Sequence, residues 1–433
     1  MSVPGLTEWD PALKEVYTQK EVACLAFAKN ALLGVLPKEK SGGKYFVQPV
    51  WTNAPGGGSA SMAKAKTNGY GSKFHELNIT RVPMFQRVAI NGHLFASGQD
   101  SKDTMVKVTK EFDSGFKNLS AQIDRRLFRS GTGVVGRVKG NTTIASTTIY
   151  FTDRADVFNV QRGDYIRFAT TDGGALHAGG TASGIALVTG VSYTDGTVTA
   201  GTADLSAECQ MALGDYVYLD GDGADGSTNL CIAGLEDWLP VNDRATKLAA
   251  SFFGMTRTTN PERLGGIYID GTAGNGDSND ILIRLATEMG RHQAEPDIVF
   301  CPIDFFADLT RIWANNKTQW QNVAVNAKMG ELTISGLYPG IKAFVAGLVL
   351  TIVPTRHCPS NRLYMLTRDS WTIRHAGDMI PCFALEMLGE PMMRLATWVS
   401  GQTDFEVESW LAGYANLGCE APGLNGVAKL PAL

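Results

Sequence analysis

Charge is scarce in this sequence. Asp, Glu, Lys and Arg make up 19% of the 433 residues, and the formal net charge is −4. A globular chain ordinarily carries about a quarter charged residues. This balance excludes a dedicated nucleic-acid binder, which needs a basic excess. It still allows a wall that merely faces nucleic acid. Long apolar runs are absent too. No stretch approaches the roughly 20 residues of a membrane-crossing helix, so no membrane association is expected. The opening residues lack a basic stretch followed by an apolar run. No secretory leader is therefore expected, and the protein is assigned to a cytoplasm.

Chemical motifs are equally sparse. The seven cysteines are Cys24, Cys209, Cys231, Cys301, Cys358, Cys382 and Cys419. Their number is odd and none forms a CxxC pair, which points to reduced, mostly buried thiols. The six histidines, His75, His93, His177, His292, His357 and His375, show no HExxH-like spacing. There is no GxSxG elbow, and no Ser or Cys stands in a nucleophile setting. No catalytic, cofactor-binding or metal-binding residue is expected, and the chain is not read as an enzyme.

What the chain has in quantity is glycine, 48 residues, and apolar side chains, 44%. The length implies two or three domains. A Gly-rich, charge-poor chain of this size points to many turns and to surface covered by large subunit interfaces.

Along the chain, Val16, Ala23, Phe27 and Ala31 mark a short amphipathic helix that Gly34 and Pro37 stop. A Gly-, Ala-, Ser- and Lys-rich stretch from Trp51 to Tyr70 cannot form a core alone. Phe74 to Val82 and Phe85 to Ile90 alternate between breakers, which predicts a long two-stranded excursion. Met105, Val108, Phe112, Phe116, Leu119, Ile123 and Leu127 recur at steps of three and four. That spacing predicts a helix over 101–130, capped by Asp100 or Ser101, ended by Gly131, and roughly 45 Å long at 1.5 Å per residue.

Composition changes after Gly131. From Thr132 to about Gly226 no helical period is found, and Thr147 to Phe151 is one of several short alternating runs. Gly163-Asp-Tyr-Ile-Arg-Phe168 is echoed by Gly214-Asp-Tyr-Val-Tyr-Leu219. A Gly-Asp turn launching a strand, used twice, fits a small antiparallel barrel or sandwich. This segment is read as a separate β-domain of about 95 residues. Beyond it the pattern is mixed. Helices are predicted at Pro240–Phe253, Asp280–His292 and Phe305–Trp313. Strands are predicted at Leu264–Ile269, Asp297–Phe300 and Val345–Val353, with Asp270–Asn279 a flexible loop. Arg362–Leu366 and Ser370–Arg374 are predicted to pair, and residues 391–417 to finish as strands before a Pro- and Gly-rich tail.

This order of parts resembles the major capsid proteins of tailed bacteriophages. The features that carry it are the arm, the two-stranded loop and the long helix, then Asp280 to Trp313 with Pro302 at the turn. Gly347-Leu-Val-Leu-Thr-Ile-Val-Pro354, Cys358-Pro359 and Leu363 to Ile373 complete it. The resemblance covers most of the chain outside 132–226. It implies an α+β capsid fold with an inserted all-β barrel or sandwich. The parts would be an N-terminal arm (1–50), an extended loop (51–100), a spine helix (101–131) and the inserted β-domain (132–226). Peripheral (227–274), axial (275–355) and returning peripheral segments with the tail (356–433) would follow. It implies a coat protein that assembles as pentamers and hexamers into an icosahedral head in the host cytoplasm. Its partners would be portal, scaffolding and decoration proteins, with non-specific contact to packaged DNA. An encapsulin-like compartment and a β-rich enzyme or carbohydrate-binding protein are the alternatives.

Three tempting sites are read as ordinary structure. Asp220-Gly-Asp222-Gly-Ala-Asp225-Gly looks like a calcium loop, but Cys231 stands where an EF-hand needs its bidentate acid. It is read as a polar hinge. Gly271-Thr-Ala-Gly-Asn-Gly-Asp-Ser lacks the Gly-Lys-Ser/Thr ending of a phosphate loop and is read as a mobile loop. In some capsid proteins a loop Lys forms an isopeptide bond with a neighbour's Asn. Lys64, Lys66 and Lys73 occupy the corresponding loop here and are read as ordinary solvated lysines.

Overall fold

The computed structural model describes residues 30–43, 45–53, 55–91, 102–140, 147–179, 184–202, 204–223, 230–272, 276–315, 321–329, 332–376, 382–383, 394–397 and 403–431. The long helix runs Lys102–Phe128. Phe112, Phe116, Leu119, Ile123 and Leu127 are all buried, on the face their spacing defines. The side chains of Met105 and Val108, the two candidate caps, and residues Val16, Ala23 and Phe27 lie outside the described residues. The helix ends through a turn in which the Gly133 N–H donates to the Ser130 carbonyl. Gly133, with φ +86°, takes the left-handed backbone expected of Gly131.

The helix lies on a six-stranded sheet built around one 17-residue strand, Thr403–Cys419. One edge of that strand pairs with Val82–Asn91. The other edge takes Arg394–Thr397, Cys382–Phe383 and Trp371–His375. Lys38–Lys40 then adds in parallel beside Trp371–His375. The helix crosses this sheet closely at Gly115. A Cβ there would stand 2.6 Å from Val88 Cγ2 and 3.1 Å from Leu411 Cδ1. The glycine is required by packing, although it costs helix propensity.

A seven-stranded sheet forms the second layer. Its order is Ile267–Asp270, Gly426–Lys429, Arg362–Leu366, Ile298–Cys301, Leu348–Pro354, Leu332–Val345 and Gln321–Met329. Alternate residues serve two cores. Val299, Cys301, Leu363 and Met365 pack with the helices Ser278–Arg291 and Ile303–Asn315. Phe300, Tyr364, Leu366 and Val427 join the core of the long helix. There Phe128 meets Phe300 edge-on at 5.7 Å. Burial on both faces accounts for the unbroken apolar runs of these strands.

Residues 134–219 form the third body, with a core of its own. Its strand order is Val134–Arg137, Tyr216–Leu219, Tyr165–Ala169, Ala186–Ser192, Thr197–Ala200 and Thr148–Tyr150, antiparallel throughout. The first and last strands meet at a Val138–Phe151 bridge. There Lys139 N–H donates to Tyr150 O and Thr152 N–H to Arg137 O, each at 2.8 Å. The sheet is therefore a closed barrel, and closure removes its edges. The two Gly-Asp turns are equivalent in space. Gly163 and Gly214 have φ +98° and +83°. Asp164 and Asp215 each accept the N–H three residues before them, from Gln161 and Ala212, at 2.7 Å. Their strands lie side by side, with Tyr216 opposite Ala169 and Leu219 opposite Ile166.

Several pairings differ from expectation. Lys73–Thr80 and Val82–Asn91 do not pair with each other. The first pairs back onto Tyr45–Asn53 and the second joins the large sheet. Arg81 alone separates them, and one residue is too few for a hairpin turn. Val345–Val353 is two strands, because Ala346 and Gly347, at φ +50° and +86°, make a two-residue hairpin turn. Arg362–Leu366 and Trp371–His375 belong to different sheets, separated by a 3₁₀ turn at Arg368–Ser370. The C-terminal tail contributes an interior strand, Gly426–Lys429. Only Arg244–Ala249 of Pro240–Phe253 is an uninterrupted helix, and Leu264 lies within the short helix Pro261–Gly265 rather than starting a strand.

Candidate assembly surfaces

The antiparallel pair Tyr45–Asn53 and Lys73–Thr80 is anchored at one end only. Gln48, Val50, Leu77 and Ile79 are buried, whereas Lys73, Phe74, His75 and Glu76 are exposed. Between the strands the helix Met62–Asn68 buries none of its residues. Tyr45, Val47, Trp51, Met62, Tyr70 and Phe74 are all exposed, Met62 by 88%. Trp51 and Phe74 pair across the strands with ring centroids 5.6 Å apart. An apolar surface of this kind on a projecting arm marks a protein interface. At the arm's root a groove of about 650 Å³ runs between Val50, Trp51 and Phe74 on one side and Arg263, His292 and Leu424 on the other. Lys64 and Lys66 lie on the arm's helix and Lys73 at the start of its returning strand, all exposed.

A second apolar patch lies at the end of the seven-stranded sheet. Phe344 and Val349, opposite each other across the Ala346-Gly347 turn, are exposed by 76% and 56%.

The barrel meets the body through a buried ionic joint. Arg126, in the last turn of the long helix, pairs with Asp222, and Arg129 pairs with Asp156. Arg125 donates to the Asn159 carbonyl. Beside them Glu236 binds Arg362 at 2.6 Å and Lys247 at 3.5 Å, and Lys247 also reaches Asp172 at 3.5 Å. Asp237 accepts the Gly131 N–H at 2.6 Å. Burial would push the Glu236 carboxyl up, but Arg362 and Lys247 hold it well below the usual range. For Asp156 burial outweighs Arg129 and pushes the carboxyl up to about 6. Asp237 likewise rises to about 6 through burial, against Lys247 and the Gly131 N–H. Asp153 ties the barrel to the body a second time by accepting from the Ser360 N–H at 3.2 Å and from its hydroxyl.

Asp124 pins the short helix Ala31–Val35 to the long helix. It accepts the Leu33 N–H at 2.7 Å and His357 Nδ1 at 2.6 Å. Arg356 Nε donates to His357 Nε2 at 3.0 Å, which assigns the proton to Nδ1.

The other sequence candidates are scattered. Asp222 of the acidic loop is bound to Arg126, and Asp220 lies 3.9 Å from Arg167. Asp225 lies outside the described residues. Asp277 caps the helix Ser278–Arg291 through the Asn279 N–H, ending the glycine-rich loop. His177 pairs with Asp215, and His292 lies near Glu262 and Glu288. Cys209, Cys231, Cys301, Cys358 and Cys419 are buried free thiols. Cys24 and the side chains of Cys382 and His93 lie outside the described residues. Among the described residues no group of three or more His, Cys, Asp or Glu could hold a metal ion. No described helix is long and apolar enough to cross a membrane. The ionic joint itself was not foreseen from sequence. Its signal was the Arg125-Arg126 and Arg129 cluster, which a long helix usually places in solvent.

No family model and no curated protein matches the chain. Among solved structures, it is similar to a chain of the cyanophage A-1(L) capsid asymmetric unit, at 12% identity and a TM-score of 0.52. The match covers 93% of this chain and 92% of that one. It is also similar to a chain of the satellite phage P4 procapsid with its size determination protein, at 10% identity and TM-score 0.42, over 99% and 98% of the two chains. A third similarity is to the holo-SrpI encapsulin complex of Synechococcus elongatus PCC 7942, at 8% identity and TM-score 0.41, over 99% and 96%. The first likeness, spanning nearly all of both chains, shows a shared fold: the α+β fold anticipated from the order of parts.

Proposed function

We propose that this chain is the major capsid protein of a tailed bacteriophage, a structural subunit that closes with copies of itself into the icosahedral head around phage DNA. The observation that carries the proposal is the near end-to-end match to the cyanophage capsid chain. The projecting arm supports it. Six large exposed apolar side chains on an anchored hairpin are costly on a monomer and useful between subunits.

In this reading the parts take the following roles. The hairpin Tyr45–Thr80 is the extended loop, and Lys102–Phe128 is the spine. The sheet around Thr403–Cys419 is the peripheral domain. The part of the seven-stranded sheet within 275–355, with its two helices, corresponds to the axial domain, and its Phe344–Val349 end meets neighbours around the symmetry axes. The closed barrel is an insertion bridging or decorating the outer surface. Many modest contacts repeated by symmetry make the closed shell stable while each remains reversible during assembly. Portal, scaffolding and decoration proteins are the partners that fit this role, and contact with DNA is through weak phosphate interactions.

Sedimentation of the purified chain tests the proposal. Shell-sized particles holding nucleic acid support a phage coat. Shell-sized particles enclosing protein cargo favour an encapsulin-like compartment, and a strictly monomeric species contradicts both.

A further inference from the structure

We propose that the cleft between the long helix and the barrel is a binding site for a single phosphate-type oxyanion, held between Arg125 and Arg356.

Three arginines cluster at the C-terminal end of the long helix, and two of them have a carboxylate: Arg126 has Asp222 and Arg129 has Asp156. Arg125 is different. It is only 8% exposed, it donates to the Asn159 carbonyl, and no described carboxylate forms an ion pair with it. A buried guanidinium outside any direct ion pair is unusual, because only the more distant Asp222 and Asp164 then offset its desolvation. Burial lowers its pKa to about 10; Arg126 and Arg129 push the same way, and Asp222 and Asp164 oppose them.

Arg125, Arg356 and His357 line one cleft. Arg356 is exposed and forms no ion pair among the described residues. Its Nε is spent on His357, which leaves the two terminal nitrogens as donors. His357 is held by Asp124 and does not compete for an anion. Asn118 and Gln122 add neutral polar groups to the lining. One carboxylate opposes an anion there, Asp164. Its Oδ2 is occupied by the Gln161 N–H, and burial pushes its pKa up.

The cleft has a volume of about 30 Å³. That is room for roughly two waters, or for the tip of one oxyanion. A base or sugar does not fit. Two guanidinium groups facing one small cleft are suited to an oxyanion, which they bind through charge-assisted, bidentate hydrogen bonds. The phosphoryl group comes either from free phosphate or from the end of a nucleic acid, and both present the same chemistry to the cleft.

The test is calorimetric unfolding of the full-length protein in inorganic phosphate against chloride at matched ionic strength. Phosphate should raise the melting temperature with the logarithm of its concentration above the dissociation constant, by about 1–2 °C at tenfold excess. Arg356→Gln, at the exposed rim, should weaken the apparent phosphate affinity about tenfold. Arg125→Met should abolish the phosphate response; it also strands the Asn159 carbonyl, so its phosphate-free stability should fall. A 5′-phosphorylated dinucleotide acting at lower concentration than inorganic phosphate assigns the group to nucleic acid. Inorganic phosphate acting alone assigns it to the free ion. An equal response to chloride, or an Arg356→Gln variant that responds like the wild type, overturns the proposal.

Discussion

Arg129, one residue past the long helix, and Asp156, in the barrel, form a buried ion pair that fixes the barrel on the body. Flanked by Arg126–Asp222 and Glu236–Arg362, the pair makes the barrel a rigid continuation of the subunit. The polar hinge expected at Asp220–Gly226 is, at Asp222, part of this lock.

Removing one partner should cost far more than the pair contributes on balance. Arg129→Met leaves the buried Asp156 facing Asp153 and Glu236 without its cation. The expected loss is about 3 kcal/mol. Hydrogen exchange should show it as faster exchange over Arg154–Asn159, with the Ser278–Arg291 helix unaffected.

The joint also sets a pH dependence. Asp156 and Asp237 titrate near 6 in the folded protein, above their ordinary 3.8. Their stabilising contribution is complete below about pH 3.8 and lost as pH rises through about 6. Glu236 behaves oppositely: its contribution is present above its ordinary 4.5 and persists well into acid. From pH 7.5 to pH 5 Asp156 and Asp237 therefore stabilise the fold as pH falls, by roughly 1–2 kcal/mol each. Urea midpoints at pH 5, 6 and 7.5 check this. Asp156→Asn combined with Asp237→Asn should flatten the slope relative to the wild type, and an unchanged slope contradicts the assignment.

Asn425 is a fully buried polar clamp. Its Oδ1 accepts Trp371 Nε1 at 2.8 Å and the Thr367 N–H at 2.9 Å. Its Nδ2 donates to Ser370 Oγ at 3.0 Å and Ala421 O at 2.9 Å. It thereby joins the two sheets where the chain passes from one to the other. Asn425→Ala strands the buried Trp371 Nε1 and the half-buried Thr367 N–H and should lower stability by about 3 kcal/mol, read as a lower urea midpoint.

The arm separates folding from assembly. Trp51→Ala with Phe74→Ala removes exposed rings, so the subunit's melting temperature should stay within about 1 °C. The concentration needed for assembly should rise at least about tenfold, because interface aromatics carry much of the binding energy. Light scattering against protein concentration measures it.

Elements with a strong local period were legible in the sequence. The long helix, the Asp280–His292 helix and the paired Gly-Asp turns follow from residue spacing alone, because burial on one face imposes it. Strand partnership was not legible. Thr80 and Val82 are neighbours in sequence but serve different sheets, and Trp371 leaves the sheet of Leu366 across a four-residue link. Those choices depend on long-range packing against Thr403–Cys419 and Gly426–Lys429, which no local pattern encodes. The ionic joint was hidden for a related reason. Arg125, Arg126 and Arg129 look solvated until the barrel, joined to the chain beyond Gly131, folds back over them.

Negative-stain electron microscopy of the purified full-length protein tests the central claim most directly. Closed polyhedral shells, or the rings and tubes of incomplete assembly, are predicted, and Trp51→Ala with Phe74→Ala should reduce them. A field of isolated monomers at every concentration and salt condition would contradict a capsid role.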